Sequence, residues 1–238
     1  MKNFPFRNSF WAERDNPDRN SSLVSDVKAD VVVVGGGIVG LSCAYYLRKE
    51  GVDVVVLERE HVGFDSSGRN GGLLTPTLGP WSGELADLVE PERIKPLMKW
   101  LHACVDETEL VCLENQIDCE FMRRYWYTLA RHENDVPYMM DTINRHSKMG
   151  AEISYIGSED VKDITTSASN GGYSLGHHAV VQPWKMVRGY RDAILKDGVR
   201  LYEGTSAQSI ESGRQVVVKT SQGSVTADKA VMAMNVWS

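Results

Sequence analysis

The residues of this chain best suited to chemistry are three glycines, an acid and a short polar loop. Gly35, Gly37 and Gly40 fall in the spacing G-x-G-x-x-G, which supplies a tight turn, close backbone approach to a phosphate and close helix–strand packing. A pyrophosphate seated there would face the free N–H groups that open the next helix. Glu58 stands about twenty residues beyond the turn, where a carboxylate accepts hydrogen bonds from the ribose hydroxyls of an adenosine. Ser66, Ser67, Arg69 and Asn70 offer donors to phosphate or ring oxygens, and Gly68, Gly71 and Gly72 allow backbone to approach a ligand. These residues together describe a dinucleotide site.

The elements that must position them are legible around the turn. Val31 to Val34 form a β-branched run with little alternation, as suits a parallel strand covered on both faces. Leu41, Ala44, Tyr45 and Leu47 continue as an apolar helical face, and Gly51 fits the C′ position. Val52 to Leu57 read as a second buried strand ending at Glu58. Arg59 to Pro80 is a connection too long for a routine loop. A mostly helical region is expected from about Gly83 to Asn115, with Leu97, Leu101, Cys104, Val105 and Leu110 inward. One or two strands follow over Cys119–Ala130, a helix over Asp135–Met149 closed by Gly150, and a short strand over Ala151–Ile156. Lys162–Gly176 reads as a polar loop, Trp184–Lys196 as a helix and Val199–Tyr202 as a strand. Alternating runs at Ala207–Glu211, Gln215–Thr220 and Ser224–Ala227, separated by Ser-Gly and Gln-Gly, predict an antiparallel meander. Lys229–Met234 reads as a separate buried strand.

Other chemistries are disfavoured. The 238 residues carry a net charge of −6, without a basic footprint for nucleic acid. No apolar stretch reaches membrane-spanning length, and the N-terminus lacks a secretory apolar region. A cytoplasmic location is expected. Cys43, Cys104, Cys112 and Cys119 show no metal-ligand spacing and are expected as buried free thiols. His177 and His178, adjacent on an extended segment, point to opposite faces, so no metal site is expected. His102 with Glu109 is expected on a solvated surface, and Tyr125-Trp126 in the core or at its rim. Ser66 and Ser67 lack the surroundings of a nucleophile elbow. Phe10 and Trp11 are expected to tether a polar lead-in to the body.

The stretches GGGIVGLSCAYYL, VVVLERE and VGFDSSGRNGG resemble the D-amino-acid-oxidase/glycine-oxidase superfamily of FAD-dependent amine oxidoreductases, and the SGRNGG form is most similar to γ-glutamylputrescine-oxidase-like enzymes. The resemblance continues in Gln182–Gly189, Tyr202–Thr205 and Ala233–Ser238. It implies an α/β fold: a Rossmann-like FAD-binding fold with parallel sheet and β-meander, plus an incomplete α+β substrate domain. It also implies FAD held non-covalently, with Gly35, Gly37 and Gly40 at the pyrophosphate and Glu58 at the ribose. Ser66 through Gly72 would lie along the phosphates and flavin, and the Ala207 backbone beside adenine. Arg69 occupies the place where some relatives carry a flavin-linking histidine. The activity implied is oxidation of a small-molecule amine or amino acid, with catalytic residues unassigned. A nicotinamide-dependent dehydrogenase and an inactive remnant or cofactor-binding subunit of a split flavoenzyme stand as alternatives.

Family members are considerably longer, so the chain is expected to be their N-terminal half: residues 1–105 and 183–238 as two parts of the FAD-binding domain, and 106–182 as a partial substrate domain. Lys229–Met234 would then present an open sheet edge, to which a C-terminal partner chain or a second copy could pair.

Overall fold

The computed structural model describes residues 9–12, 18–77 and 88–235. The expected start of the long helix near Gly83 and the terminal residues 236–238 lie outside them. The described chain divides into two compact units, one of residues 1–71, 114–119 and 182–238 and the other of residues 72–113 and 120–181.

The first unit is built on a six-stranded sheet. Strand β1 (Val27–Val34) leads through the glycine turn into helix α1 (Ile38–Lys49), and β2 (Val54–Leu57) returns beside β1. Helix α4 (Pro183–Lys196) precedes β7 (Arg200–Tyr202), and the chain then forms β8 (Ser209–Glu211), β9 (Val216–Lys219) and β10 (Ser224–Met232). The strand order is β7-β2-β1-β10-β9-β8. The first four strands run parallel, while β8, β9 and β10 form the expected antiparallel meander. Valines 32 to 34 of β1 and all of β2 are buried, the both-faces-covered pattern that parallel strands require. One face holds a cluster of Leu23, Val32, Val34, Val55, Leu57, Val218, Val225 and Ala227. Helix α1 packs on β1 and β2 and against α4, where Tyr45 meets Tyr190 edge to face at 6.2 Å. Helix α1 ends as its sequence indicates: Gly51, at φ +81°, donates its N–H to Arg48 O at 2.9 Å.

Two expectations about β10 are corrected. Ser224–Ala227 and Lys229–Met232 are one nine-residue strand, paired with β9 through its first half and with β1 along almost its whole length. Asp228 and Lys229 interrupt the apolar pattern without interrupting the backbone ladder. The second half is also less buried than its composition suggests, with Met232 46% exposed.

The second unit contains β3 (Leu73–Leu74), α2 (Pro91–Glu114, of which Glu114 is counted with the first unit), β4 (Met122–Leu129), α3 (Val136–Lys148), β5 (Ile153–Ile156) and β6 (Gly172–Val180). Its sheet centres on β6, which pairs antiparallel with β4, β5 and β3. Sequence reading takes most of β6 for a loop, because its glycines, serine and histidines lack an apolar alternation. The strand forms because partners on both sides satisfy its backbone. Gly150 closes α3 at φ +87°, as expected. The inward stripe of α2 is Ile94, Met98, Val105, Val111 and Cys112; Leu97 and Leu110 face outward instead. Tyr125 and Trp126 are 56% and 42% exposed, so they belong to the rim and not the core. None of the four cysteines forms a disulfide, and only Cys112 and Cys119 are buried.

Candidate dinucleotide site

Strands β1, β2 and β10 all end at the same edge of the first unit, and a cleft of about 760 Å³ opens there. This is the crevice beyond the carboxyl ends of parallel strands, where ligands bind in open α/β sheets. The glycine turn forms its floor. Gly35 has φ +115°, and a Cβ there would stand 2.4 Å from the Ala233 carbonyl oxygen. Only glycine permits both that conformation and that approach. Gly37 precedes α1 in extended conformation and brings no capping side chain; a Cβ on it would reach to 2.9 Å from Ser67 Oγ. Gly40 lies below the cleft, in the first turn of α1, where a Cβ would be 2.0 Å from Gly35 O. Its role is helix–strand packing.

Glu58 is held in place by the backbone. Its Oε2 accepts the Gly36 N–H at 2.7 Å and its Oε1 the Glu60 N–H at 2.8 Å. Burial pushes its carboxyl above the usual range, while those two hydrogen bonds and the nearby Arg59 pull the other way. Each oxygen retains acceptor capacity beyond the bond it makes.

The polar loop closes over the turn through the 3₁₀ segment Ser66–Gly68. Ser67 Oγ accepts the Ile38 N–H at 2.9 Å, capping α1 from 29 residues away. That leaves the hydroxyl proton of Ser67 free to be donated elsewhere. Ser66, Ser67 and Asn70 line the cleft, and Asn70 Nδ2 donates to the carbonyl oxygens of Ser66 and Ser67 at 3.0 and 3.1 Å. Trp11 does tether the lead-in: its Nε1–H donates to Asn70 O at 2.8 Å.

Of the expected residues, Gly35, Gly37, Glu58, Ser66, Ser67, Asn70 and Ala207 meet at the cleft. Gly68 is buried behind it, where a Cβ would strike Gly63 O at 2.2 Å. Arg69 turns away: its Nε donates to Phe64 O, and its guanidinium lies 5.0 Å from the Phe64 ring centre. Gly71 follows outside the cleft lining, and Gly72, at φ +71°, begins the second unit. Arg59, Thr205 and the Ala233–Asn235 segment also line the cleft, and reasoning from motifs missed them. Their signal was topological: each directly follows or lies just beyond a strand that ends at this edge.

His102, His177 and His178 lie in the second unit. His102 is half-buried, its ring stacked on His177 at 4.3 Å, and Glu109 pairs with Arg123. The expected solvated His102–Glu109 surface is therefore corrected. Burial lowers the pKa of His102, as does the neighbouring His177, and burial also lowers that of His178.

The group this cleft fits is an extended dinucleotide. Side chains are absent where a pyrophosphate would approach backbone, hydroxyl donors and the helix N-terminus face that place, and a half-buried acid stands at the far strand end. Residues 30–238 match the family model described as FAD dependent oxidoreductase, DAO. γ-Glutamylputrescine oxidoreductase of Escherichia coli (strain K12) is 29% identical over 222 residues, covering 91% of this chain and 51% of that protein. Glycine oxidase of Bacillus subtilis (strain 168) is 28% identical over 218 residues, covering 88% and 54%. The chain spans about half the length of these curated relatives. Among solved structures, L-amino acid deaminase from Proteus myxofaciens superposes with a TM-score of 0.75 at 18% identity, over 93% of this chain and 48% of that one. Glycine oxidase from Geobacillus kaustophilus gives 0.68 at 20%, over 87% and 55%. These two likenesses concern the fold. Among the described residues, no helix is long and apolar enough to cross a membrane.

Proposed function

This chain belongs to the family of FAD dependent oxidoreductases, and from that premise we propose that it binds FAD non-covalently and serves the oxidation of a small amine or amino acid. The observation that carries the reading is the convergence of the glycine turn, Glu58 and the Ser66–Asn70 loop on one cleft. Gly35 and Gly37 admit the pyrophosphate to the backbone, and the Ser66 and Ser67 hydroxyls donate to its oxygens. Glu58 accepts from the ribose hydroxyls with its remaining lone pairs, and the Ala207 backbone lies beside adenine. Gly40 and Gly68 hold the packing, while Arg69 braces the loop through Phe64. The flavin, when bound, supplies the acceptor for the hydride lost from the carbon bearing the amine. The substrate class is supported by relatives named for γ-glutamylputrescine and for glycine.

The second element of the reading concerns the open strand edge. Among the described residues, strand β10 pairs with β9 from Ser224 to Ala227 and with β1 as far as Met232, so no strand lies beside Asp228–Met232 on the β9 side. Together with the half-length match to relatives, this supports a complementing polypeptide segment that adds a strand beside Asp228–Met232.

The test is titration of the chain with FAD and, separately, with NAD, followed by flavin fluorescence and calorimetry. Saturable FAD binding is expected, weakened about tenfold or more by Gly37→Val, whose added bulk has no space beside Ser67. Anaerobic addition of small amines or amino acids should then bleach the flavin band. Binding of NAD in place of FAD would favour a nicotinamide dehydrogenase, and FAD binding without bleaching a cofactor-binding subunit.

A further inference from the structure

We infer that Glu203 is a positioning residue for the cofactor loop: its buried carboxyl group fixes the point at which residues 62–70 leave the sheet. Its geometry is independent of the FAD reading, and its consequence for cofactor binding rests on that reading. Glu203 follows β7 and its side chain is 0% exposed. Oε1 accepts the Val62 N–H at 2.7 Å, and Oε2 accepts the Asn20 N–H at 2.5 Å. Arg191 Nε, on α4, stands 4.0 Å from Oε2. One side chain thus joins the lead-in, the root of the loop and a helix.

The backbone around it shows why the loop arm matters. Beyond β7, the Thr205 N–H donates to Glu58 O at 2.8 Å and the Gly204 N–H to Glu60 O at 2.9 Å. Those bonds extend the β7–β2 pairing up to the loop, and Glu203 makes the last connection at Val62, which is itself fully buried. Immediately after it, the Gly63 N–H donates to Gly36 O at 3.3 Å, and four residues later Ser67 caps α1. A shift at Val62 would therefore be passed to Ser66 and Ser67 at the helix N-terminus. Burying a carboxyl group is costly unless its oxygens are satisfied; here two backbone N–H groups donate to them, and the Arg191 guanidinium stands beside Oε2 as an ion pair at 4.0 Å. Ser22 supplies a separate contact, donating its hydroxyl to the Glu203 carbonyl at 2.8 Å, and so can be removed without touching the loop arm.

The experiment compares the chain with its Glu203→Gln and Ser22→Ala variants by amide hydrogen exchange and by FAD titration. A glutamine cannot accept at both positions, so one N–H would face another donor. In Glu203→Gln, exchange over residues 62–70 should accelerate about tenfold or more, with residues 54–57 unchanged and FAD affinity about tenfold weaker. Ser22→Ala should leave both readouts near wild type. Loop exchange unaltered in Glu203→Gln, or equal losses in Ser22→Ala, would overturn the inference. If Glu203→Gln does not fold, two measurements decide. The wild-type Val62 amide should exchange as slowly as the β2 amides, and Glu203→Asp should loosen residues 62–70 selectively; a fast-exchanging Val62 overturns the inference. A wild-type chain that binds no FAD defeats the cofactor reading, and its exchange pattern still decides the role of Glu203.

Discussion

Single atoms decide whether this glycine turn can form. At Gly40 there is no room for even a methyl group, since its Cβ would stand 2.0 Å from Gly35 O and 3.2 Å from Val33 Cγ1. Gly40→Ala should lower stability by about 1–3 kcal/mol, the usual cost of overpacking, and push α1 away from β1. Gly51→Ala makes a useful contrast, because nothing lies within 4 Å of its added carbon and only the left-handed backbone opposes it. There the loss should be about 1–2 kcal/mol. Urea midpoints check both, and FAD affinity separates them: the Gly40 variant should lose it and the Gly51 variant should keep it. Equal effects on FAD would count against a phosphate-facing turn. Spacing alone identified these glycines. It said nothing of Arg69, whose charge suggested a phosphate contact but whose guanidinium is occupied by Phe64.

The elements differ in how openly they are written in sequence. The β1–α1–β2 unit is local, and its boundaries follow from valine runs, a glycine turn and a C′ glycine. Strand β6 is the opposite case, formed by pairing with segments far away in the chain. It also carries one of two histidines whose pKa is lowered. His178 on β6 and His102 on α2 both have pKa values lowered chiefly by burial. Around the His102–His177 stack stand Asp106, on the same helix as His102, and Glu152, whose Oε2 lies 3.1 Å from His177 Nδ1. A histidine whose folded pKa is lowered stabilises the fold fully above its ordinary value near 6.5, and that contribution is lost as pH falls toward the folded value. Exchange protection of β6, corrected for intrinsic rates, should therefore fall between pH 7.5 and 5, and less so in His102→Gln. A pH-independent β6 in the wild type would remove the burial argument.

For the whole molecule, the open half of β10 has a consequence that can be measured. An unpaired strand edge is a template for another chain, and here Asp228 and Lys229 guard only the beginning of it. Without a complementing segment, the chain should self-associate with rising concentration. Met232→Lys, which adds charge at a half-exposed end of that edge, should weaken the association at least about threefold in sedimentation velocity. A wild-type chain that stays monomeric at high concentration would argue against an available edge.

The sequence by itself determined the mixed α/β class, the glycine turn with its strand and helix, the meander, the position of Glu58 and the family. All but the family depend on residues close together in the chain, where periodicity and spacing act directly; the family rests on the resemblance of whole motif stretches. Only the tertiary structure decided how β10 runs as one strand, that β6 is a strand, that Arg69 turns from the cleft, and that Ala233–Asn235 reach it. It also decided that Glu203 meets a loop residue 141 positions earlier. Such contacts are set by which strands lie side by side and which buried donors must find acceptors, and no local pattern of residues records that choice.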